Sequence, residues 1–426
     1  MNVTQLKKAL LEGAFDNRFA YIYGEEAVAA QKARYAAAID SFATLYGSDR
    51  EAALYSVAGR SEISGNHTDH NFGRVIAASI DLDIIALASP NAENIIRVKS
   101  EGFDEDVIDL GEYTAPRAIT EGHSDDLIAG VSAGFLKAGY KIGGFDAYTT
   151  SNVLKGSGIS SSAAFEDMIG NILSYLYNDG KVDNVEIAKI SQYAENEFFG
   201  KPCGLMDQVA CAVGGIVGID FADPKNPVIE KLDFDMSAAG YNLCIVNTGG
   251  NHADLTDDYA SVPREMKAVA KELGKNVLRE LDEEAVIAAI PTLRKTVGDR
   301  AILRALHFHA ENRRVAKLTD ALKKKDLDAF FEGILASGRS SFCYLQNVYT
   351  CKNLSEQGLS LALCLAENTL SGKKAAWRVH GGGFAGTIQA FVPTEDVETF
   401  RSVMDAALGE GACMVLRIRP VGAVQI

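Results

Sequence analysis

The segment VLKGSGISSSAA, Val153 to Ala164, runs directly into a stretch where Phe165, Met168, Ile169, Ile172, Leu173 and Leu176 recur at helical spacing. That pattern predicts a helix over about Ser161–Asn178, with Gly180 where a helix-ending glycine belongs. Gly156 and Gly158 let the backbone turn tightly and approach a ligand closely. Ser157 and the run Ser160, Ser161 and Ser162 add hydroxyls where the first helical N–H groups have no internal partner. Free amides at the positive end of a helix dipole favour a phosphate. An ordinary serine-capped loop has the same composition, so the segment alone leaves both readings open. Two other nucleotide motifs are absent: SGKK at Ser371–Lys374 lacks the first glycine and the hydroxyl of a Walker loop, and Gly156-Ser-Gly158 lacks the third glycine of a dinucleotide fingerprint.

Outward from this loop, GRVIAASIDLDIIALASP (Gly73–Pro90), NIIRVKS and NLCIVNTGG read as strands, as does the terminal CMVLRIRPV. Helices are predicted over about Asn184–Phe198, with Asp183 and Glu186 as a capping pair, and over Arg264–Leu273 and Arg300–Lys325. At 426 residues the chain is long enough for two domains. The expectation is an α+β fold in two lobes, 1–220 and 221–426, with residues 1–50 as a helical extension.

Three further segments carry chemistry. GRSEISGNHTDHN (Gly59–Asn71) gathers Arg60, Glu62, Asn66, His67, Thr68, Asp69 and His70, a set suited to recognising hydroxyls one by one. In AENEFFGKPCGLMDQ, Glu195 and Asp207 could serve a phosphoryl transfer, one carboxylate holding a divalent ion and one beside the attacking hydroxyl. WRVHGGGFAGT (Trp377–Thr387) places three glycines after a strand, where backbone comes close to another loop or a ligand.

Composition excludes several classes. Forty-seven per cent hydrophobic and 23% charged residues describe a globular chain, and a formal charge of -15 argues against nucleic acid as a partner. Seven cysteines without a CxxC pair fit reduced thiols rather than a disulfide framework or zinc site. The amino terminus lacks the apolar core of a signal peptide, and no apolar run approaches a membrane span, so a cytoplasmic, membrane-free protein is expected.

Taken in order, these segments resemble the galactokinase family of the galactose, homoserine, mevalonate and phosphomevalonate kinase superfamily. GRSEISGNHTDHN resembles the galactokinase signature, GSGISSSAA the superfamily phosphate loop and VHGGGFAGT its third motif. AENEFFGKPCGLMDQ resembles the stretch with the magnesium-binding Glu and active-site Asp, and HADLTDDYASVPREMKAVAKELG one with a sugar-contacting tyrosine. The resemblance runs from about Leu54 to the carboxyl end. It implies a two-lobed sugar kinase of mixed sheets and helices, with its active site in the interdomain cleft, transferring the γ-phosphoryl group of ATP to the anomeric hydroxyl of galactose. By the same resemblance, Asp207 lies against that hydroxyl and Arg60 steadies it. Asn66, His67, Thr68, Asp69 and Tyr259 contact the sugar. Gly156, Ser157, Gly158, Ile159, Ser160, Ser161 and Ser162 wrap the ATP phosphates, and Ser162 with Glu195 holds Mg2+. The expected partners are a small sugar and ATP alone, in a monomer or weak homo-oligomer.

The chain departs from the family pattern in reading GNHTDHN where GEHTDYN is usual. Because an amide donates as well as accepts, Asn66 opens the alternative of a C6 carboxylate, as in galacturonate. A catalytically silent sugar and ATP sensor is a second alternative, and a mevalonate or homoserine kinase a third. His70 for tyrosine, Leu154 for a proline and Ala385 for a glycine remove no group the chemistry needs.

Overall fold

The computed structural model describes residues 1–111, 122–153, 159–201, 203–250 and 255–426. Its strands, in chain order, are β1 (Ala53–Ser64), β2 (Arg74–Pro90), β3 (Ile95–Ser100), β4 (Glu105–Asp109), β5 (Phe145–Ser151), β6 (Ile216–Asp220), β7 (Val228–Leu232), β8 (Tyr241–Asn247), β9 (Ala376–Val379), β10 (Thr387–Pro393), β11 (Cys413–Leu416) and β12 (Val424–Gln425). The chain divides into two compact units. The first comprises Met1–Arg60, Ser79–Gly215 and Arg419–Ile426, and the second Ser61–Ala78 and Ile216–Ile418.

In the first unit the strand order is β12-β1-β2-β5-β3-β4. β5 pairs antiparallel with β2 and parallel with β3. Three helices, α1 (Val3–Leu11), α2 (Asp16–Tyr23) and α3 (Val28–Tyr46), precede the sheet. Their apolar faces (Leu6, Leu10, Phe19, Ile22, Tyr35 and Phe42 among them) share one core with Leu54, Ile85 and Leu87 of the strands. Fully burying each large apolar side chain stabilises by roughly 1.5–3 kcal/mol, so this segment is integral to the unit rather than an appendage. The helices α4 (Ser124–Lys137), α5 (Ser161–Tyr177), α6 (Asn184–Ala194) and α7 (Met206–Val213) complete it. α5 matches its sequence pattern to a residue at its carboxyl end. The glycine expected there has φ +66°, and its N–H donates to the Ser174 carbonyl at 2.9 Å. α6 is shorter than expected because the chain widens into one turn of π-helix at Glu195–Phe199. Asp183 caps α6 through Val185 N–H at 2.8 Å.

In the second unit, Arg74–Ala78 of β2 pairs with β6, which pairs with β7. A four-stranded sheet has the order β11-β8-β10-β9. Helices α8 (Thr256–Glu272), α9 (Glu283–Ala288), α10 (Ile290–Thr296), α11 (Asp299–Lys323), α12 (Leu327–Ser340), α13 (Gly358–Leu370) and α14 (Val397–Leu408) follow. α8 begins before Pro263 rather than after it, which puts Tyr259 on its first turns. None of the described helices is long and apolar enough to cross a membrane.

The division differs from a simple cut at residue 220 in three places, each with a physical cause. Ile216–Asp220, which is β6, goes with its partners β7 and Arg74–Ala78 to the second unit, and two further segments change sides. Residues 61–78 belong to the second unit: Ser61 bonds His380 and Gln389, and Arg74–Ala78 carries the ladder to β6. Residues 419–426 belong to the first. There β12 pairs with β1, and the fully buried Arg419 donates to Asp83 at 3.1 Å and Ser56 at 2.9 Å.

Candidate active site

The first unit holds the phosphate-loop and carboxylate residues. Gly156, Ser157 and Gly158 lie outside the described residues, and the loop is followed from Ile159 onward. The Ile159 carbonyl accepts from Arg60 N–H at 3.1 Å, which ties the loop to β1. Ser160 holds a left-handed conformation (φ +63°), and its hydroxyl donates to Asp207 Oδ2 instead of capping its own helix. Among the described residues no side chain caps α5, so its first amides keep their capacity for an anion.

Asp207 lies in the first turn of α7. Arg60 grips it with a two-pronged pair, Nε to Oδ1 and Nη2 to Oδ2, each at 2.8 Å. Burial pushes the Asp207 carboxyl up, but the charge and hydrogen bonds of Arg60, the Ser160 hydroxyl and the charge of Lys201 outweigh it and hold the group below its ordinary value. Asp207 is therefore a carboxylate at neutral pH. Glu195 opens the π-turn with its side chain only 3% exposed. Ser162 Oγ donates to Glu195 Oε1 at 3.3 Å, and Gln208 Nε2 donates to Oε2 at 2.8 Å. Gln208 also reaches Glu166, whose other oxygen is buried with no partner among the described residues. Hard oxygens of this kind suit Mg2+, which binds through one or two carboxylates, waters and substrate phosphates rather than a protein cage. Ser162 and Glu195 therefore fit such an ion.

A cavity of about 430 Å3 opens beside Ser161 and Ser162, with Phe103, Phe165, Phe199 and Leu127 in its walls. Sequence reading missed it. Phe165 counts toward the core in the helical pattern, and nothing local to Phe103 or Phe199 signals a shared wall.

The second unit holds the residues expected to touch sugar, and their arrangement is more specific than the sequence suggests. Asn66 Nδ2, His67 Nε2 and Tyr259 Oη donate in turn to the carbonyls of Gly381, Gly382 and Gly383, at 2.6, 2.8 and 3.0 Å. Two of the three positions leave no room for a side chain: a Cβ on Gly382 would lie 2.7 Å from the Tyr259 ring, and one on Gly383 2.0 Å from the Asn347 carbonyl. The Tyr259 ring stands edge-on to Phe384, and burial with the nearby Asp258 charge pushes its hydroxyl up to about 12. Asp69 is half-buried at the start of a short 3-10 turn.

Two expectations change here. Asn66 is fully buried and its amide is saturated. Besides Gly381, Nδ2 reaches Glu62 at 3.1 Å, while Oδ1 accepts from Asn347 at 2.8 Å and Ser341 at 3.2 Å. No capacity is left for a sugar carboxylate, which removes the basis for the galacturonate alternative. Thr68 is also fully buried, with Oγ1 within 2.9 and 2.7 Å of the Gly65 and Arg74 carbonyls. It braces the turn. Sequence reading also missed Arg378, fully buried and donating to Glu62 and to the Ile63 carbonyl.

A model of the GHMP kinases N terminal domain matches residues 126–215, and one of the galactokinase galactose-binding signature matches residues 40–90. The galactokinase of Lactobacillus helveticus is 31% identical over 353 residues, covering 80% of this chain and 86% of that protein. This chain belongs to the galactokinase family. A galactokinase from Clostridium tetani is 29% identical, covering 84% and 88% of the two chains. Among solved structures, Lactococcus lactis galactokinase complexed with galactose aligns with a TM-score of 0.76 at 24% identity, over 92% of this galactokinase-family chain and all of the other. A mevalonate kinase aligns at 0.60 with 15% identity, over 86% of this chain and 98% of that one, the likeness expected of a shared fold.

Proposed function

We propose that this chain is an ATP-dependent kinase that phosphorylates the anomeric hydroxyl of galactose, with Mg2+ as its metal. The observation that carries the reading is Asp207, kept ionised by the Arg60 fork and the Ser160 hydroxyl, with the uncapped start of α5 beginning at the next residue. Its family relatives are galactokinases, which favours galactose over the uronic acid.

In this reading the α5 amides and Ser161 bind the ATP phosphates, and the aromatic cavity takes the adenine ring. Ser162 and Glu195 hold Mg2+, which neutralises phosphate charge when bound. Asp207 accepts a hydrogen bond from the C1 hydroxyl and draws its proton away as the oxygen bonds to the γ-phosphorus in line with the departing ADP. Paired with Arg60, the carboxylate is a weak base, so it contributes by orientation and charge more than by full proton abstraction. Arg60 fixes Asp207 and offers positive charge to the transferring group. His67, Asp69 and Tyr259 recognise the sugar, and Asn66 and Thr68 shape the backbone that presents them. Seven cysteines, all free thiols, support a reducing compartment such as the cytoplasm.

The test is a panel of free sugars and uronic acids with ATP and magnesium, with the phosphorylated carbon identified by phosphorus NMR. Galactose-dependent ADP release with phosphate on C1 is expected. Nucleotide binding without turnover of any sugar would replace the kinase with a sensor.

A further inference from the structure

Glu195 has a further partner besides Ser162 and Gln208. The ammonium of Lys201 lies 2.8 Å from Glu195 Oε1, the same oxygen that accepts from Ser162 Oγ at 3.3 Å. The π-turn delivers it there: Gly200 turns left-handed at φ +78°, and the Lys201 N–H closes on the Glu195 carbonyl at 3.0 Å. The two partners differ sharply in exposure, with 62% of the Lys201 side chain open to solvent against 3% of Glu195. A four-carbon stem so exposed can swing its charge away without disturbing the core, while the carboxylate stays in place. Lys201 also acts electrostatically on Asp207. One mobile cation thus serves the carboxylate assigned to the metal and the carboxylate assigned to the sugar hydroxyl.

Resting on the kinase reading above, we propose that Lys201 is a resident counterion for Glu195 that exchanges this carboxylate for a nucleotide phosphate when the divalent ion arrives. Before nucleotide binds, Lys201 neutralises an almost fully buried carboxylate. A divalent ion seeking Glu195 Oε1 must displace it, so Lys201 opposes binding of the bare metal. The freed ammonium then faces the phosphates at the start of α5, where it adds a cation to those of Arg60 and the metal. Lys201 is a positioning residue toward the metal and a direct contact toward the phosphate, so its removal shifts the two ligands in opposite directions. A merely structural lysine would weaken both.

The experiment compares the unmodified protein with Lys201→Met and Lys201→Arg. Bare Mn2+, a paramagnetic stand-in for Mg2+, is titrated by electron paramagnetic resonance, and ATP is titrated by calorimetry in excess chelator. Lys201→Met is expected to bind Mn2+ more tightly and metal-free ATP more weakly, each by about three- to tenfold, the span of a partly exposed charge pair. Lys201→Arg is expected to restore ATP binding. If Lys201→Met moves both affinities the same way, or neither, the exchange is wrong although the kinase assignment stands. If the unmodified protein binds no ATP with or without metal, the kinase reading falls and the exchange with it.

Discussion

Arg60 and Asp207 meet through two parallel hydrogen bonds of 2.8 Å although 146 residues separate them in the chain. The pairing fixes both the orientation and the charge of the carboxylate. Neutralising Asp207 while keeping its shape should therefore remove catalysis and spare nucleotide binding. Asp207→Asn is expected to lower turnover by on the order of 10³-fold. Galactose-dependent ADP release and a separate ATP titration check both halves, and near-normal turnover would remove Asp207 from the reaction.

Glu195→Gln keeps the hydrogen-bonding size of the side chain but loses the anionic oxygen shared by Ser162 and Lys201. The magnesium concentration for half-maximal rate should rise about tenfold or more, since a hard divalent ion relies on carboxylate charge. A magnesium titration that superimposes on the parent's would discount Glu195 as a ligand.

The Asn66 side chain acts as a strut that ties neighbouring Glu62 to Ser341, Asn347 and Gly381, which are distant in sequence. Asn66→Asp replaces an amide that donates to Glu62 and Gly381 with an oxygen facing both acceptors. A loss of about 2–4 kcal/mol in stability is expected, from unmade hydrogen bonds and a buried like-charge contact. The preference for galactose over galacturonate should stay put. Urea unfolding and a two-sugar competition assay measure these effects, and a variant as stable as its parent would show the amide bears no strain.

His307 gives the second unit a pH dependence. Its Nε2–H donates to the Asn66 carbonyl at 3.0 Å, and Nδ1 accepts from Ser340 at 2.8 Å. Burial lowers its pKa to about 4, with the nearby Glu311 carboxylate acting the other way. Below about pH 6.5 the unfolded chain takes up a proton that the folded chain refuses. Stability present above that pH is thus lost as pH falls toward 4, by on the order of 3 kcal/mol. Glu311, lowered to about 2 by Arg314, His307 and Arg378 against its burial, withdraws its own contribution only below about 4.5. His307→Gln, which keeps the donor to Asn66, should flatten the loss between pH 6.5 and 4.5. An unchanged slope would assign that loss elsewhere.

How far the sequence could be read follows the range of the interactions involved. The α5 pattern and the serines before it are local, so helix, loop and anion affinity could all be read from about 20 consecutive residues. The strands from Gly73 to Pro90 were legible for the same reason. Asn66 misled because its partners Ser341, Asn347 and Gly381 lie some 300 residues away, and a lone amide looks the same whether free or saturated. The glycine run looked weak alone and became specific once three side chains were found on three successive carbonyls. Lys201 carried no signal because a lysine on a glycine turn is usually a solvated charge. Arg378 and Arg419 were invisible because full burial of an arginine is decided by partners rather than by neighbours in the chain.

The return of residues 419–426 to the first unit sets the order in which a nascent chain can settle. Asp83 has Arg34 at hand early, but its second guanidinium, from Arg419, leaves the ribosome more than 330 residues later. Until then β1 lacks the neighbour that β12 supplies, and its exposed edge must be tolerated or shielded during synthesis. A chain cut after Ile418 would leave that edge uncovered and the charged centre half neutralised, so quality control should register such a product as misfolded although every residue of the second unit is present.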